Sequence, residues 1–375
     1  IKSVYVPAQN AKQAALVTGV DVFPVENLKS LFLHLKKEKI IKPIDRSSIK
    51  NISRNHKSAP TIDDIYGQEQ AKRAIQIAVA GRHNILLSGP PGSGKTMLAK
   101  SLKNLLPALS DDEIVEVTKL HSLGEHTIIN NPIVDRPFRS PHHTASRASI
   151  IGGGSKIQPG EISLAHRGVL FLDELLEYPR TVLESLRQPL EDHEITVSRA
   201  NGKFNFPANF LLVATMNPCP CGFLGDPEKT CICSQNQILN YQKRLSGPLL
   251  DRIDLTVSVS RVPHEKLLNN KMSTKSQQYT FLSEIHKAYS IQRDRYKCSY
   301  KYNNDIPSSN VDKITSISES AKTFLTNAAR KLDLSTRSYF KVIKVSRTIA
   351  DLEGSISIEI PHIAESLQYR QINIG

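Results

Sequence analysis

The run Gly89-Pro90-Pro91-Gly92-Ser93-Gly94-Lys95-Thr96 constrains this chain more than any other segment. It has the spacing GxxxxGK[ST]. An apolar strand signal, Ile85-Leu86-Leu87, stands in front of it. Met97, Leu98 and Leu102 open a helical pattern behind it. Glycines let backbone N–H groups turn inward and cradle phosphate oxygens. The helix N-terminus adds partial positive charge. In such a loop Lys95 reaches the β- and γ-phosphates of a nucleotide, and Thr96 offers its hydroxyl to Mg²⁺. The competing reading is a degenerate loop that binds nucleotide and does nothing more.

Two further apolar runs end in polar groups. Val169-Leu170-Phe171-Leu172 leads into Asp173-Glu174, and Phe210 to Met216 leads into Asn217. Unbroken apolar runs suit strands buried on both faces of a parallel sheet, and ligands bind at the C-terminal ends of such strands. Asp173 fits the Mg²⁺ partner. Glu174 fits a general base that polarises the attacking water. Asn217 fits a side chain that holds that water or touches the γ-phosphate.

From Ile65 to about Pro263, strand runs alternate with helical patterns, as in an α/β fold. After Pro263 strands give way to polar helical segments. Val342, Val345, Ile349 and Leu352 mark one face of a helix capped by Ser335 or Thr336. Residues 269–280 read as a mobile connection. The expected division is a remnant at 1–43, a linker at 44–58, an α/β domain at 59–264 and a helical domain at 265–375. A chain of 375 residues with 39% apolar content can bury such cores.

The net charge is +13. Residues 1–58 carry +7 and residues 265–375 carry +6, while the stretch between them is neutral. A basic balance suits a nucleic-acid partner or plain solubility. No apolar stretch approaches the roughly 18 residues of a membrane span, and no signal peptide is visible. A cytoplasmic protein that meets no membrane is expected. The start at Ile1 is read as the mark of a fragment that lacks an N-terminal part.

Four of the five cysteines fall between Cys219 and Cys233. The pairs Cys219-x-Cys221 and Cys231-x-Cys233 can close a tetrahedral Zn²⁺ site. A redox pair, an iron–sulfur cluster and unliganded thiols remain alternatives. Cys298 is read as an ordinary thiol. The adjacent His142 and His143 are read as strand residues facing opposite ways, hence structural. Ile195, Val197, Phe204 and Phe206 flank Asn201-Gly202, a hairpin turn signal. Arg199 and Lys203 sit beside its tip, either as phosphate contacts or as ordinary surface cations.

These segments, with Ile65 to Arg73, Arg139 to Ser146, Pro159 to His166, Asn217 to Gly222 and Arg244 to Asp254, resemble the magnesium-chelatase-like ComM/YifB family of AAA+ ATPases over nearly the whole chain. The resemblance implies an AAA+ P-loop domain with a parallel sheet and an α-helical lid. Residues 1–43 resemble the end of a Lon-protease-like (S5-like) domain. It also implies an insert in the second helix at Gly152 to Lys156, and a hairpin before sensor 1. Arg252 then takes the place of the arginine finger, with Arg244 second, and Arg337 that of sensor 2. Tyr66 and Gly67 lie where adenine packs. In a ring, usually a hexamer, Arg199, Lys203 and Lys156 would face DNA in the pore.

The expected function is therefore ATP hydrolysis in a ring motor acting on branched or single-stranded DNA, a branch-migration helicase of natural transformation or recombination. The expected cofactors are ATP, Mg²⁺ and Zn²⁺. Two alternatives stay open. One is a chelatase-like ATPase that remodels a protein complex or assists metal insertion. The other is a component of an ATP-dependent protease, although no Ser–Lys dyad is identifiable in 1–43.

Overall fold

A computed structural model describes residues 1–17, 19–44, 59–124, 131–154, 157–199, 202–262, 276–297 and 301–370. Residues 45–58, Lys156, Asn201 and Cys298 lie outside the described residues. The N-terminal stretch pairs β1 (Ser3–Pro7) in parallel with β2 (Asp21–Val25) over a small core of Ala11, Ala15 and Val22. Its helix, Leu28–Leu35, is capped by the Asn27 side chain, which accepts from the Ser30 N–H at 2.9 Å.

The strands β3 (Ile85–Ser88), β4 (Phe138–Arg139), β7 (Val169–Leu172), β10 (Leu211–Met216) and β11 (Leu255–Ser258) form the main sheet. Its order is β11-β3-β10-β7-β4, and every pairing is parallel. Val213 lies beside both Ile85 and Phe171, which sets the register of the central three strands. Strand side chains alternate between two cores. Ile85, Leu87, Phe171 and Val213 pack on one face; Leu86, Leu170, Leu172 and Ala214 pack on the other. Burial of each of the larger of these side chains contributes about 1.5–3 kcal/mol. The C-terminal ends of β3, β7 and β10 therefore share one edge, where Gly89, Asp173 and Asn217 emerge.

Two short hairpins adjoin each other on the domain: β5 (Gly152–Gly153) with β6 (Gln158–Pro159), and β8 (Glu194–Arg199) with β9 (Gly202–Pro207). The longer one differs from the turn expected at Asn201-Gly202. Gly202 is the first residue of β9 and pairs with Arg199, so it belongs to a strand. Cross-strand packing decides this. Ile195 pairs with Phe206 and Val197 with Phe204, whereas a turn at Asn201-Gly202 would shift each partner by two residues and set Ile195 against Ala208.

The C-terminal helices run Gln277–Tyr296, Glu319–Lys331, Thr336–Glu353 and Ile360–Gln368. The first begins earlier than expected. Ser276 caps it by accepting from the Tyr279 N–H, so 277–280 belong to a helix rather than a connection. Ser335 caps the third, as expected. The helical part does not stand apart from the sheet domain. Phe281, Ile285, Val345, Ile349 and Leu352 enter the same core as Ile75, Ala78 and Leu87. Polar bonds seal the join. Tyr289 and Gln292 donate to the carbonyls of Val79 and Ala80 at 2.8 and 2.9 Å.

His83 lies in this join, fully buried, with Nε2 2.7 Å from Thr348 Oγ1. Burial pushes its pKa down to about 4, against the partly opposing pull of Asp254. The folded state thus favours neutral His83. That contribution is complete above about pH 6.5 and is lost as pH falls towards 4, up to about 3 kcal/mol. Burial likewise lowers His166 to about 4. Urea midpoints are expected to fall between pH 6.5 and 4, and to fall less in His83→Gln. An equal fall in both proteins would remove His83 from this account.

Candidate active site

The loop from Gly89 to Lys95 joins β3 to the helix Lys95–Ser101. Gly92 and Gly94 sit at φ +76° and +88°, the left-handed region that glycine enters without penalty. Lys95 is buried, and its Nζ donates to the carbonyls of Gly89 and Pro90 at 2.7 and 2.8 Å. Asn217 Oδ1 lies 3.4 Å from the same ammonium. Burial lowers the Lys95 pKa, and Asp173 and Glu174 pull it back up. Ser93 Oγ donates to the Pro90 carbonyl at 2.9 Å.

Thr96 Oγ1 donates to Asp173 Oδ2 at 3.1 Å. A hydroxyl and a carboxylate meeting at the helix N-terminus form a hard oxygen donor set that fits Mg²⁺ carried by a nucleotide. Glu174 follows in the left-handed region at φ +54°, a conformation that costs a non-glycine residue energy and gathers at functional sites. Its N–H donates to Thr215 Oγ1 at 3.0 Å, and the Thr215 hydroxyl donates to Asp173. Thr215 thus holds both acidic residues. Sequence reasoning missed it, although a lone hydroxyl inside the apolar run of β10 was the available signal.

His143 was also missed. His142 and His143 do not lie on a strand. They form a turn in which their rings are 4.1 Å apart, so they do not face opposite ways. Tyr178 OH donates to the Pro141 carbonyl at 2.5 Å and braces this turn. His143 Nδ1 then lies 3.8 Å from Glu174 Oε2.

Gly67 and Gln68 are tied to residues 260–262, which reach the phosphate loop. Val262 packs against Gly67, Ser260 accepts from the Gln68 side chain, and Arg261 between them donates to the Pro91 carbonyl at 3.2 Å. Tyr66 is half exposed.

Arg252 and Arg337 are elsewhere. Both pair with Glu191, Arg337 Nη2 at 2.7 Å. Arg244 is also apart from them and pairs with Glu177 at 3.6 Å. The Arg252 carbonyl accepts from Asn84, which precedes β3, whereas the phosphate loop follows β3. Four strand residues, about 13 Å, separate the two ends. Arg252 and Arg337 are therefore brought together, but not to Lys95 of their own protomer. Lys203 is exposed on β9 beside Ser198, and Arg199 stands at the end of β8.

The four cysteines of the cluster converge after Asn217. Their Sγ atoms all lie within 4.8 Å of one another, with Cys219–Cys221 at 3.4 Å and Cys231 3.6 Å from each of these two. A disulfide needs about 2.0 Å. A tetrahedral Zn²⁺ with bonds of about 2.3 Å gives edges of about 3.8 Å, so the spacing fits a metal. Backbone N–H groups of Phe223 and Ile232 lower the Cys221 thiol to about 6.

Residues 61–267 match the family described as magnesium chelatase, subunit ChlI, and residues 275–370 match its C-terminal family. The chain is 42% identical over 374 residues to competence protein ComM of Haemophilus influenzae, covering 98% of this chain and 72% of that one. It is 36% identical over 374 residues to YifB of Escherichia coli, covering 99% and 72%. A 171-residue stretch is 27% identical to the magnesium-chelatase 38 kDa subunit of Cereibacter sphaeroides, covering 41% and 51%.

Proposed function

The chain belongs to the magnesium chelatase ChlI family, and from that premise we propose that it is an ATP-hydrolysing ring motor, a hexamer, that moves branched or single-stranded DNA. The observation that carries the ATPase reading is the meeting of Lys95, Thr96, Asp173, Glu174 and Asn217 at one sheet edge. The loop N–H groups and Lys95 bind the phosphates. Thr96 and Asp173 hold Mg²⁺, which supplies positive charge against the developing phosphate charge. Asn217 orients the attacking water. Water oxygen attacks the γ-phosphorus, its proton passes to Glu174, and ADP leaves. Arg252 and Arg337, remote from their own loop, serve the neighbour's nucleotide.

DNA is the favoured track because the β8–β9 hairpin, exposed along β9, presents Lys203 and carries Arg199, with the glycine hairpin beside it. Competence, in the name of the Haemophilus relative, supports the same reading. Arg199→Ala with Lys203→Ala is expected to weaken forked-DNA binding and to flatten the salt dependence by about one unit of slope per lost contact. ATPase activity without DNA should persist. Unchanged affinity and slope would remove the hairpin from the DNA surface. ATPase stimulated by a protein partner and indifferent to DNA would favour a chelatase-like remodeller.

We assign one Zn²⁺ per chain to Cys219, Cys221, Cys231 and Cys233. Thiols packed at this spacing suit a reducing compartment, the cytoplasm. No helix among the described residues is long and apolar enough to cross a membrane. Elemental analysis of protein purified without added metal should return zinc near one equivalent. Iron in its place, or a metal-free protein of full activity, would overturn the assignment.

A further inference from the structure

Residues 219–233 contain no helix or strand, only turns, bends and irregular backbone. The segment has almost no core of its own. Cys219 is buried, but Leu224 and Ile232 are exposed. Such a loop cannot hold its shape by apolar burial. A metal cross-link between its two ends would hold it instead.

This loop bears directly on the nucleotide site. Gly222 stands at φ +85°, and a Cβ there would lie 2.6 Å from Pro91 Cδ. Its backbone is thus pressed against the rim of the phosphate loop. Arg261 adds a second tie. It donates to the Pro91 carbonyl at 3.2 Å and to Glu228 Oε2 at 3.2 Å, and its Nε lies 3.0 Å from the fully buried Asp226 carboxylate. Phe223 lies under the same guanidinium. A third tie is covalent. Asn217, 3.4 Å from the Lys95 ammonium, stands two residues before Cys219. Arg261 also lies between Ser260 and Val262, which contact Gln68 and Gly67. The cysteine loop therefore reaches the phosphate rim, the water-orienting amide and the adenine side of the site together.

We propose that Zn²⁺ held by Cys219, Cys221, Cys231 and Cys233 governs nucleotide affinity, by fixing Gly222, Asp226 and Glu228 where they shape the Pro91 rim. This rests on the zinc assignment above. The metal then acts as a structural governor of the ATP site, and takes no part in hydrolysis.

The test uses the full chain, a fluorescent ATP analogue with excess Mg²⁺, and a zinc chelator that spares Mg²⁺. Zinc content and far-ultraviolet circular dichroism are followed beside nucleotide affinity. Metal-free protein should keep its secondary structure and bind nucleotide roughly tenfold more weakly, the equivalent of about one lost hydrogen bond. Added Zn²⁺ should restore it. Gly222→Ala keeps all four thiols, so it should retain one Zn²⁺ and still bind nucleotide more weakly. That variant decides the matter if metal removal unfolds the chain. Equal affinity in zinc-loaded and zinc-free protein, or parental affinity in Gly222→Ala, would overturn the coupling while leaving the zinc assignment intact. A chain that takes up no Zn²⁺ would overturn both.

Discussion

Glu174→Gln protein is expected to bind Mg²⁺·ATP with parental affinity and to hydrolyse it about 10²–10⁴-fold more slowly. The amide preserves the shape of the side chain and removes its ability to take a proton. The Glu174 N–H bond to Thr215 involves the backbone, so the left-handed turn should survive the change. Lys95→Ala is the contrasting variant. It removes the ammonium that lies over the loop carbonyls, and should lose nucleotide binding itself. Equilibrium binding and steady-state hydrolysis, measured on both variants, separate the two effects. Parental turnover in Glu174→Gln would show that another group takes the proton, with His143, 3.8 Å away, the first to examine.

Two inactive proteins should make an active one when mixed. Arg252→Ala keeps its phosphate loop and cannot assist its neighbour. Lys95→Ala cannot hold nucleotide and still presents Arg252. Each alone should be nearly silent, because an arginine supplied across an interface contributes about 10³–10⁵ in rate. In mixed rings some interfaces join an intact loop to an intact Arg252, and hydrolysis should return. The separation of Arg252 from its own loop by the length of β3 makes this arrangement a geometric requirement if the residue acts at all. Subunits must exchange before ATP is added, and light-scattering mass must show that mixed rings form. Mixed rings that stay as inactive as their parents would exclude Arg252. Arg337, which shares Glu191 with it, and Arg244 would then be examined in the same way.

The phosphate loop and the strands β3, β7 and β10 were legible because strands buried on both faces must be apolar throughout, and their polar endings are short-range facts. The helix cap at Ser335 was legible for the same local reason. What escaped depends on residues distant in sequence. Gly202 looks like a turn residue until Val197 and Phe204 set the register. His142-His143 looks like a strand pair until Tyr178, far along the chain, holds the Pro141 carbonyl. Glu191 had no local signal at all, since its meaning comes from arginines 61 and 146 residues away. The cysteine spacing indicated a metal. Its contact with Pro91 could be seen only once both loops were folded.

The shared core beneath the C-terminal helices has a mechanical consequence. A lid joined by a flexible strap would wag over bound nucleotide. Here Phe281, Ile285, Val345 and Ile349 interlock with Ile75 and Ala78, and His83, Tyr289 and Gln292 bolt the seam with buried bonds. Opening that seam would expose several large apolar side chains at about 1.5–3 kcal/mol each. One subunit therefore behaves as a stiff lever. In the ring proposed above, strain from ATP turnover would be released where subunits meet, by tilting whole subunits against one another.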